Sequence, residues 1–182
     1  SWSSGGTAAI ENGLTAGSYT CNITDAHNCT TSATVSIGEP SALASTVSQT
    51  DVMCNGGNDG SATLTVTGGT GPYTYAWSSG GTAATETGLI AGTYTCDVTD
   101  SHTCTLTETV VIVEPNALAS TVSQTDVMCN GGNDGSATLT ITGGTGPYTS
   151  AWSSGGTAAT ETGLIAGTYS CTVTDSHSCT IT

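Results

Sequence analysis

The sequence predicts an all-β protein built from tandem, immunoglobulin-like antiparallel β-sandwich repeats of about 75 residues. Three observations predict it. The run MCNGGNDGSATLT stands at 53–65 and again at 128–140, a shift of 75 residues. Inside each copy apolar residues alternate with threonines, the period of a strand that buries one face. Between these runs lie clusters of Gly, Asn, Asp and Pro, the residues that turns require.

The repetition sets the organisation. Trp2, Trp77 and Trp152 share the 75-residue spacing, as do Cys21, Cys96 and Cys171, and Cys29, Cys104 and Cys179. Segments 40–107 and 115–182 differ at seven positions. Solenoid repeats run to about 20–50 residues, so this period suits a small domain with its own core. Residues 1–39 read as the C-terminal half of a repeat, 40–114 as a complete repeat, and 115–182 as a repeat lacking its last strand. The phase at both ends is what an excerpt from a longer periodic polypeptide is expected to show.

Taken in order through the complete repeat, a first strand is expected at 44–50, ahead of the CNGGNDG loop. In GSATLTVTGG, Ala62, Leu64 and Val66 face one way and Thr63, Thr65 and Thr67 the other. GGTGP (68–72) is a turn, and in PYTYAW the residues Tyr73, Tyr75 and Trp77 share a face. SSGG (78–81) turns the chain again. In GTYTCDVTD, Tyr94, Cys96 and Val98 share a face, and DSHT (100–103) is a hairpin end. In CTLTETVVIV, Cys104, Leu106, Val110 and Ile112 point one way, interrupted by Glu108. That makes six or so short strands and no helix. The Tyr-x-Cys of GTYTC, with a Trp on an earlier strand, echoes an immunoglobulin core, although TLTVT carries no partner cysteine. The joints GEPSALAS (38–45) and VEPNALAS (113–120) hold a proline that fixes φ and removes a ladder donor. No Gly/Ser linker intervenes, so neighbouring repeats should be coupled.

Composition excludes several functions. The net charge is −14, and the chain has no Lys or Arg. Phosphate contacts need cations, so nucleic acid is not an expected partner. An anionic membrane would repel the chain, and no apolar run reaches the length of a span, so no membrane insertion is expected. Eight cysteines in small Thr/Gly-rich domains point to an oxidising, extracellular setting. Soluble β proteins usually guard sheet edges with Lys, Pro or bulges. Here a bare edge invites pairing. Other copies of the chain are the expected partners, by end-to-end contact or strand addition. A strand from a neighbour or from the continuing chain would complete the third repeat, and the hypothesis is that a segment of another copy carrying Ala33, Val35 and Ile37 does so.

The order CNGGNDGSATLTVTGGTGPYTYAWSSG, LIAGTYTCDVTD, then a Cys and a closing β run ending in EP, resembles the SprB-type repeat. That repeat occurs in tandem in large surface proteins of gliding and other Bacteroidota. The likeness covers 40–114 and 115–182, and the back half of a repeat in 1–39. It implies a bacterial cell-surface or extracellular location, a stalk-like or adhesive role, and no enzymatic activity. It also implies a Cys54–Cys104 disulfide. Two departures stand out. Cys96 occupies a position where the family usually has a β-branched residue. DAHNC and DSHTC replace a DxxGC turn.

The candidate site residues follow from side-chain chemistry. Cys21, Cys29, Cys54, Cys96, Cys104, Cys129, Cys171 and Cys179 are the disulfide candidates. Cys96–Cys104 is an alternative pairing if the hairpin centres on Asp100, and three cysteines per repeat leave one over, as a buried thiol or as a bond to a neighbouring repeat or chain. Cys96, His102, Cys104 and Cys54 can be drawn as a zinc set, but the spacing lacks the tight CxxC pair. No cofactor is expected, with calcium the one candidate: Asp59, Asp97 and Asp100 offer hard oxygens. Asp97 becomes Asn22 and Thr172 in the other copies, which weakens that set. Asp100-Ser101-His102 has the letters of a catalytic triad, yet consecutive residues cannot build its geometry. Asn22 and Asn28 head N-glycosylation sequons, and Thr63, Thr65, Thr67, Thr105, Thr107 and Thr109 form outward rows open to O-glycans. Two roles follow: a structural filament or stalk segment, or an adhesin module binding a glycan or surface with calcium. Strands of seven to ten residues at about 3.3 Å each give roughly 25–35 Å per repeat.

Overall fold

The computed structural model describes residues 1–182 and contains fourteen strands and no helix. The first two, β1 (Gly17–Thr24) and β2 (Thr30–Ile37), form an antiparallel hairpin. Trp2 bridges Cys21 beside it. Every residue of β2 is exposed, because no second sheet covers the hairpin.

Residues 40–114 form a sandwich of two three-stranded antiparallel sheets. One has the order β3 (Ala44–Thr50), β4 (Gly60–Thr67), β6 (Thr85–Leu89); the other has β5 (Thr74–Trp77), β7 (Gly92–Thr99), β8 (Thr105–Ile112). The alternation read from the sequence is the burial observed. Ala62 and Leu64 of β4 meet Trp77, Cys96, Val98, Val110 and Ile112 of the other sheet, while the threonines between them face outward. Tyr73 and Tyr75 pack on the same core. The Tyr73 hydroxyl donates to the Gly68 carbonyl at 2.6 Å and pins the GGTGP turn. Gly68 has φ +70°, and a Cβ there would lie 2.0 Å from the Ala42 carbonyl oxygen, so only glycine fits. Glu108, the polar break in β8, accepts the Ser45 hydroxyl at 2.6 Å.

The segment TETGL, which carries no expected strand, forms β6. It pairs with β4 across a register shift at Gly60/Ser61, with Gly88 at φ +74°. A glycine-broken run of five residues gives a weak period-two signal.

Residues 115–182 repeat this plan with β9 (Ala119–Thr125), β10 (Gly135–Thr142) and β12 (Thr160–Leu164) in one sheet. The other holds β11 (Thr149–Trp152), β13 (Cys171–Thr174) and β14 (Thr180–Ile181). The two cores, around Trp77 and around Trp152, share no residue. β13 is half the length of β7, because β14 offers it only two partners. Where β8 fills the first sandwich, the second has a cleft of about 800 Å³ lined by Val122, Val127, Leu139, Leu164 and Tyr169. Val122 is 55% exposed there, whereas its equivalent Val47 packs on the core.

Candidate functional site

The feature that joins the two sandwiches is a clamp made of three short stretches: the CNGG loop, the proline joint and the DSHSC turn. Each is shaped by its own residues. In the loop, the Asp59 carboxylate accepts the Met53 N–H at 3.1 Å, and Gly57 N–H donates to the Cys54 carbonyl at 2.9 Å. Gly56 sits at φ +75°, and a Cβ on Gly57 would meet Val52 Cγ1 at 2.9 Å. This fixes Cys54 at the tip of its sandwich. In the turn, Asp175 accepts the N–H groups of His177, Cys179 and Thr145, each at 2.9 Å. Ser178 takes a positive φ of 67° to allow it. Those donors, the Thr145 N–H foremost, hold the Asp175 carboxyl below its ordinary value.

The three stretches then meet. Gly56 N–H donates to Glu114 Oε2 at 2.6 Å, and the Asn55 side-chain amide donates to the Pro115 carbonyl at 3.1 Å. Cys54 and Cys179 form a disulfide across 125 residues of sequence, with Cα atoms 5.7 Å apart.

This corrects both pairings drawn from the sequence. Cys54–Cys104 does not form, because the two cysteines lie at opposite poles of one sandwich. Val52 N–H bonds the Val113 carbonyl at the far end of β8, whereas Cys104 precedes the start of that strand. Cys104 and Val113 are nine positions apart along the extended chain, which is roughly 30 Å; a disulfide needs Cα atoms within about 7 Å. Cys96–Cys104 does not form either. Cys96 stands opposite Glu108, four positions from Cys104 along β8, and is fully buried while Cys104 is exposed. Burial raises the Cys96 thiol above its ordinary pKa. Cys21, Cys29, Cys96, Cys104, Cys129 and Cys171 are unpaired in this chain.

The remaining candidates fall as follows. Asp59, Asp97 and Asp100 do not converge: Asp59 holds Met53, Asp97 accepts the Thr107 hydroxyl at 2.6 Å, and Asp100 holds Thr70, His102 and Cys104. No group of three Asp, Glu, His or Cys side chains is placed to share a metal ion. The zinc set separates for the same reason that the disulfides do, with Cys96 in the core and Cys54 at the other pole. The Asp100 carboxylate is spent on backbone donors, so it does not orient the His102 ring as a triad would need. Asn22 and Asn28 are exposed, as are Thr65, Thr67, Thr105, Thr107 and Thr109; Thr63 is half-buried and its hydroxyl meets that of Thr85 at 3.0 Å. Ala33, Val35 and Ile37 lie on β2, exposed and packed on no other sheet.

The clamp was missed for a physical reason. In a periodic sequence Cys104 and Cys179 have the same neighbours, so spacing cannot say which one Cys54 meets. The signal that decides it is the unbroken strand from Thr105 to Ile112, which places the two cysteine types at opposite ends of each unit.

No curated protein matches the chain. The family model of the SprB repeat matches residues 46–82 and again 121–157. Both matched stretches run from the first strand of a sandwich, through the CNGG loop with Cys54 or Cys129, to the turn after the tryptophan. The chain therefore carries two SprB repeats in tandem, a repeat of cell-surface proteins.

Proposed function

We propose that this chain is a segment of an extracellular bacterial stalk or filament, in which each β-sandwich unit is locked end to end with the next. One observation carries the reading. A disulfide, a carboxylate–backbone bond and an amide–carbonyl bond together fasten the tip of one unit to the joint and turn of the next. A joint held at three points transmits tension and resists bending, which is what a stalk requires and an independent binding module does not. The unit boundary at 114/115 is supported by the same clamp, since Pro115 sits between the cores around Trp77 and Trp152, and the 75-residue period places the equivalent boundary at 39/40.

Copies of the chain extend the stalk by strand addition. The cleft beside β9 is open at the place that Val110 and Ile112 fill in the preceding unit. Val35 and Ile37 sit 75 residues before those two and are exposed on β2. A donated β2 would seat both in that cleft. An adhesin reading would call for an outward aromatic platform or gathered carboxylates. Tyr73, Tyr75 and Trp77 instead face the core, Asp59 and Asp100 are occupied in turns, and Asp97 accepts a hydroxyl on its own sheet.

Negative-stain electron microscopy of the purified chain tests the reading. Straight rods with an axial step of roughly 25–35 Å per unit, shortened by a synthetic peptide of residues 30–38, support it. Isolated flexible strings whose surface binding is lost in EDTA would overturn it in favour of an adhesin.

A further inference from the structure

The clamp between residues 54 and 179 is one of a series of equivalent positions, and the cysteines of the two neighbouring positions, Cys104 and Cys129, are unpaired within these residues. Every unit carries a loop cysteine at one pole and a turn cysteine at the other. Cys129 is the loop cysteine of the last unit. Its loop has the bonds of the first one: Met128 N–H to Asp134 at 3.1 Å, and Gly132 N–H to the Cys129 carbonyl at 2.9 Å. It meets nothing, however, and Met128 is 86% exposed against 47% for Met53, which lies under the clamp. At the other end, Asp100 holds the N–H groups of His102 and Cys104 at 2.9 Å, as Asp175 holds those of His177 and Cys179. Thr103 takes φ 66° where Ser178 takes 67°.

The seat beside Cys104 is also built. A cavity of about 400 Å³ is lined by Glu39, Pro40, Ala42, Leu43, His102 and Cys104. Glu39 and Pro40 are the equivalents of Glu114 and Pro115, which bind the incoming loop in the occupied joint. The seat therefore offers a carboxylate for a glycine N–H, a carbonyl for an asparagine amide, and a thiol for a cysteine. The sequence Cys129-Asn130-Gly131 presents those three groups in that order.

We propose that a second copy of this chain docks its Cys129–Gly132 loop in this seat and that its Cys129 forms a disulfide with Cys104. The proposal rests on the end-to-end reading above and names the covalent site through which it operates. It is sterically consistent with strand donation. β2 leads directly into Gly38-Glu39-Pro40, as β8 leads into Val113-Glu114-Pro115, so a copy that donates β2 brings its own seat to the Cys129 loop. Cys29 is held by the same kind of turn, with Asp25 accepting the His27 and Cys29 N–H groups, and is therefore replaced in the test below.

The bond forms by thiol–disulfide exchange with a low-molecular-weight disulfide such as oxidised glutathione. The Cys129 thiolate attacks that disulfide, forming a mixed disulfide and releasing one thiolate. The Cys104 thiolate then attacks the Cys129 sulfur and releases the second. Two protein thiols are oxidised, one small disulfide is reduced to two thiols, and the two protons lost from the cysteines end on those thiols.

Two variants of the full 182-residue chain test it, Cys104→Ser and Cys129→Ser, both with Cys29→Ser. Each is kept in a glutathione buffer alone or mixed with the other, and is read by non-reducing electrophoresis and disulfide peptide mapping. The expected result is no covalent dimer from either variant alone, a dimer from the mixture, and a Cys129–Cys104 peptide in its map beside the intact Cys54–Cys179 peptide. Adding Glu39→Gln to the Cys129→Ser chain should slow dimer formation roughly two- to tenfold through loss of one charge-assisted bond. A dimer linked through any other cysteine, or a dimer from either variant alone, overturns the proposal. Rods in the microscope without any covalent dimer overturn it and leave the stalk reading standing. Absence of both rods and dimers overturns the two together.

Discussion

Replacing Ile112 by alanine tests whether each 75-residue block is a thermodynamic unit. The Ile112 side chain is 1% exposed and closes the core of the 40–114 sandwich. The substitution removes three carbons, which at about 0.8 kcal/mol per buried carbon is ~2.4 kcal/mol of transfer free energy. The hole adds to this. Gly60 lies directly beneath, where even a Cβ would come within 2.8 Å of Ile112 Cγ2, and its backbone is fixed by pairing with β6. The site cannot collapse freely, so the total belongs in the upper part of the ~2–5 kcal/mol range for Ile→Ala. A domain of this size has only about 5–10 kcal/mol to lose. Hydrogen exchange followed by mass spectrometry reads the two units separately. Amides of β4 should lose protection by a factor on the order of 10³, and those of β10 should be unchanged, because the core around Trp152 contains no residue of the first. Equal loss in β10 would mean one cooperative core and would refute the tandem-unit account. No loss in β4 would refute the placement of Ile112.

Three further outcomes are expected. Cys54→Ser should uncouple the units: the chain-entropy relation sets a ceiling near 5 kcal/mol for a closed loop of 125 residues, a loss of about 2–4 kcal/mol is expected, and small-angle scattering should show a broader distribution of shapes. A native-state alkylation time course should modify Cys104 and Cys129 at once and Cys96 only on unfolding, since Cys96 is buried with a raised thiol pKa; Cys96→Val should leave stability within about 1.5 kcal/mol. Stability should also fall in acid. The folded-state carboxyls of Asp100 and Asp175 are held low by N–H donors, Thr70 first for Asp100 and Thr145 first for Asp175, so their contribution is complete above an unfolded value of about 4 and is lost as pH drops through the lower folded values. Urea midpoints measured from pH 6 to 2 check this, and a double Asp→Asn variant should show a flatter profile.

How much of this was legible in the sequence depends on the range of the interaction. Local alternation in GSATLTVT and GTYTCDVT gave the strands and their inward faces, because one residue's slip would turn Leu64 or Val98 to water. The turns followed from Gly68, Gly69 and Asp100, whose backbone roles are local. β6 was not visible, since Gly88 breaks a run already short. The cysteine pairing was not visible for a deeper reason. Periodicity makes every long-range partner ambiguous by a multiple of 75, and the family resemblance resolved that ambiguity within one unit. Only strand length, with the positions of Cys54 and Cys104 relative to it, separates the two answers.

The same geometry gives a reason for the polar cysteines in a chain without cations. Adjacent units carry like charge and have no Lys or Arg with which to form ion pairs across a joint. Within a Debye length of about 8 Å at physiological salt, that repulsion favours separation of the tips. The hydrogen bonds at the joint stabilise contact by only about 0.5–3 kcal/mol each. The Cys54–Cys179 bond holds the tips together at the 114/115 joint against the repulsion, while along the units the same repulsion favours extension. Cys96 and Cys171 take no part, because both are buried, opposite Trp77 and Trp152 respectively. The odd count per repeat thus resolves into two poles and a core: one thiol for the unit ahead, one for the unit behind, and one that behaves as a small hydrophobe.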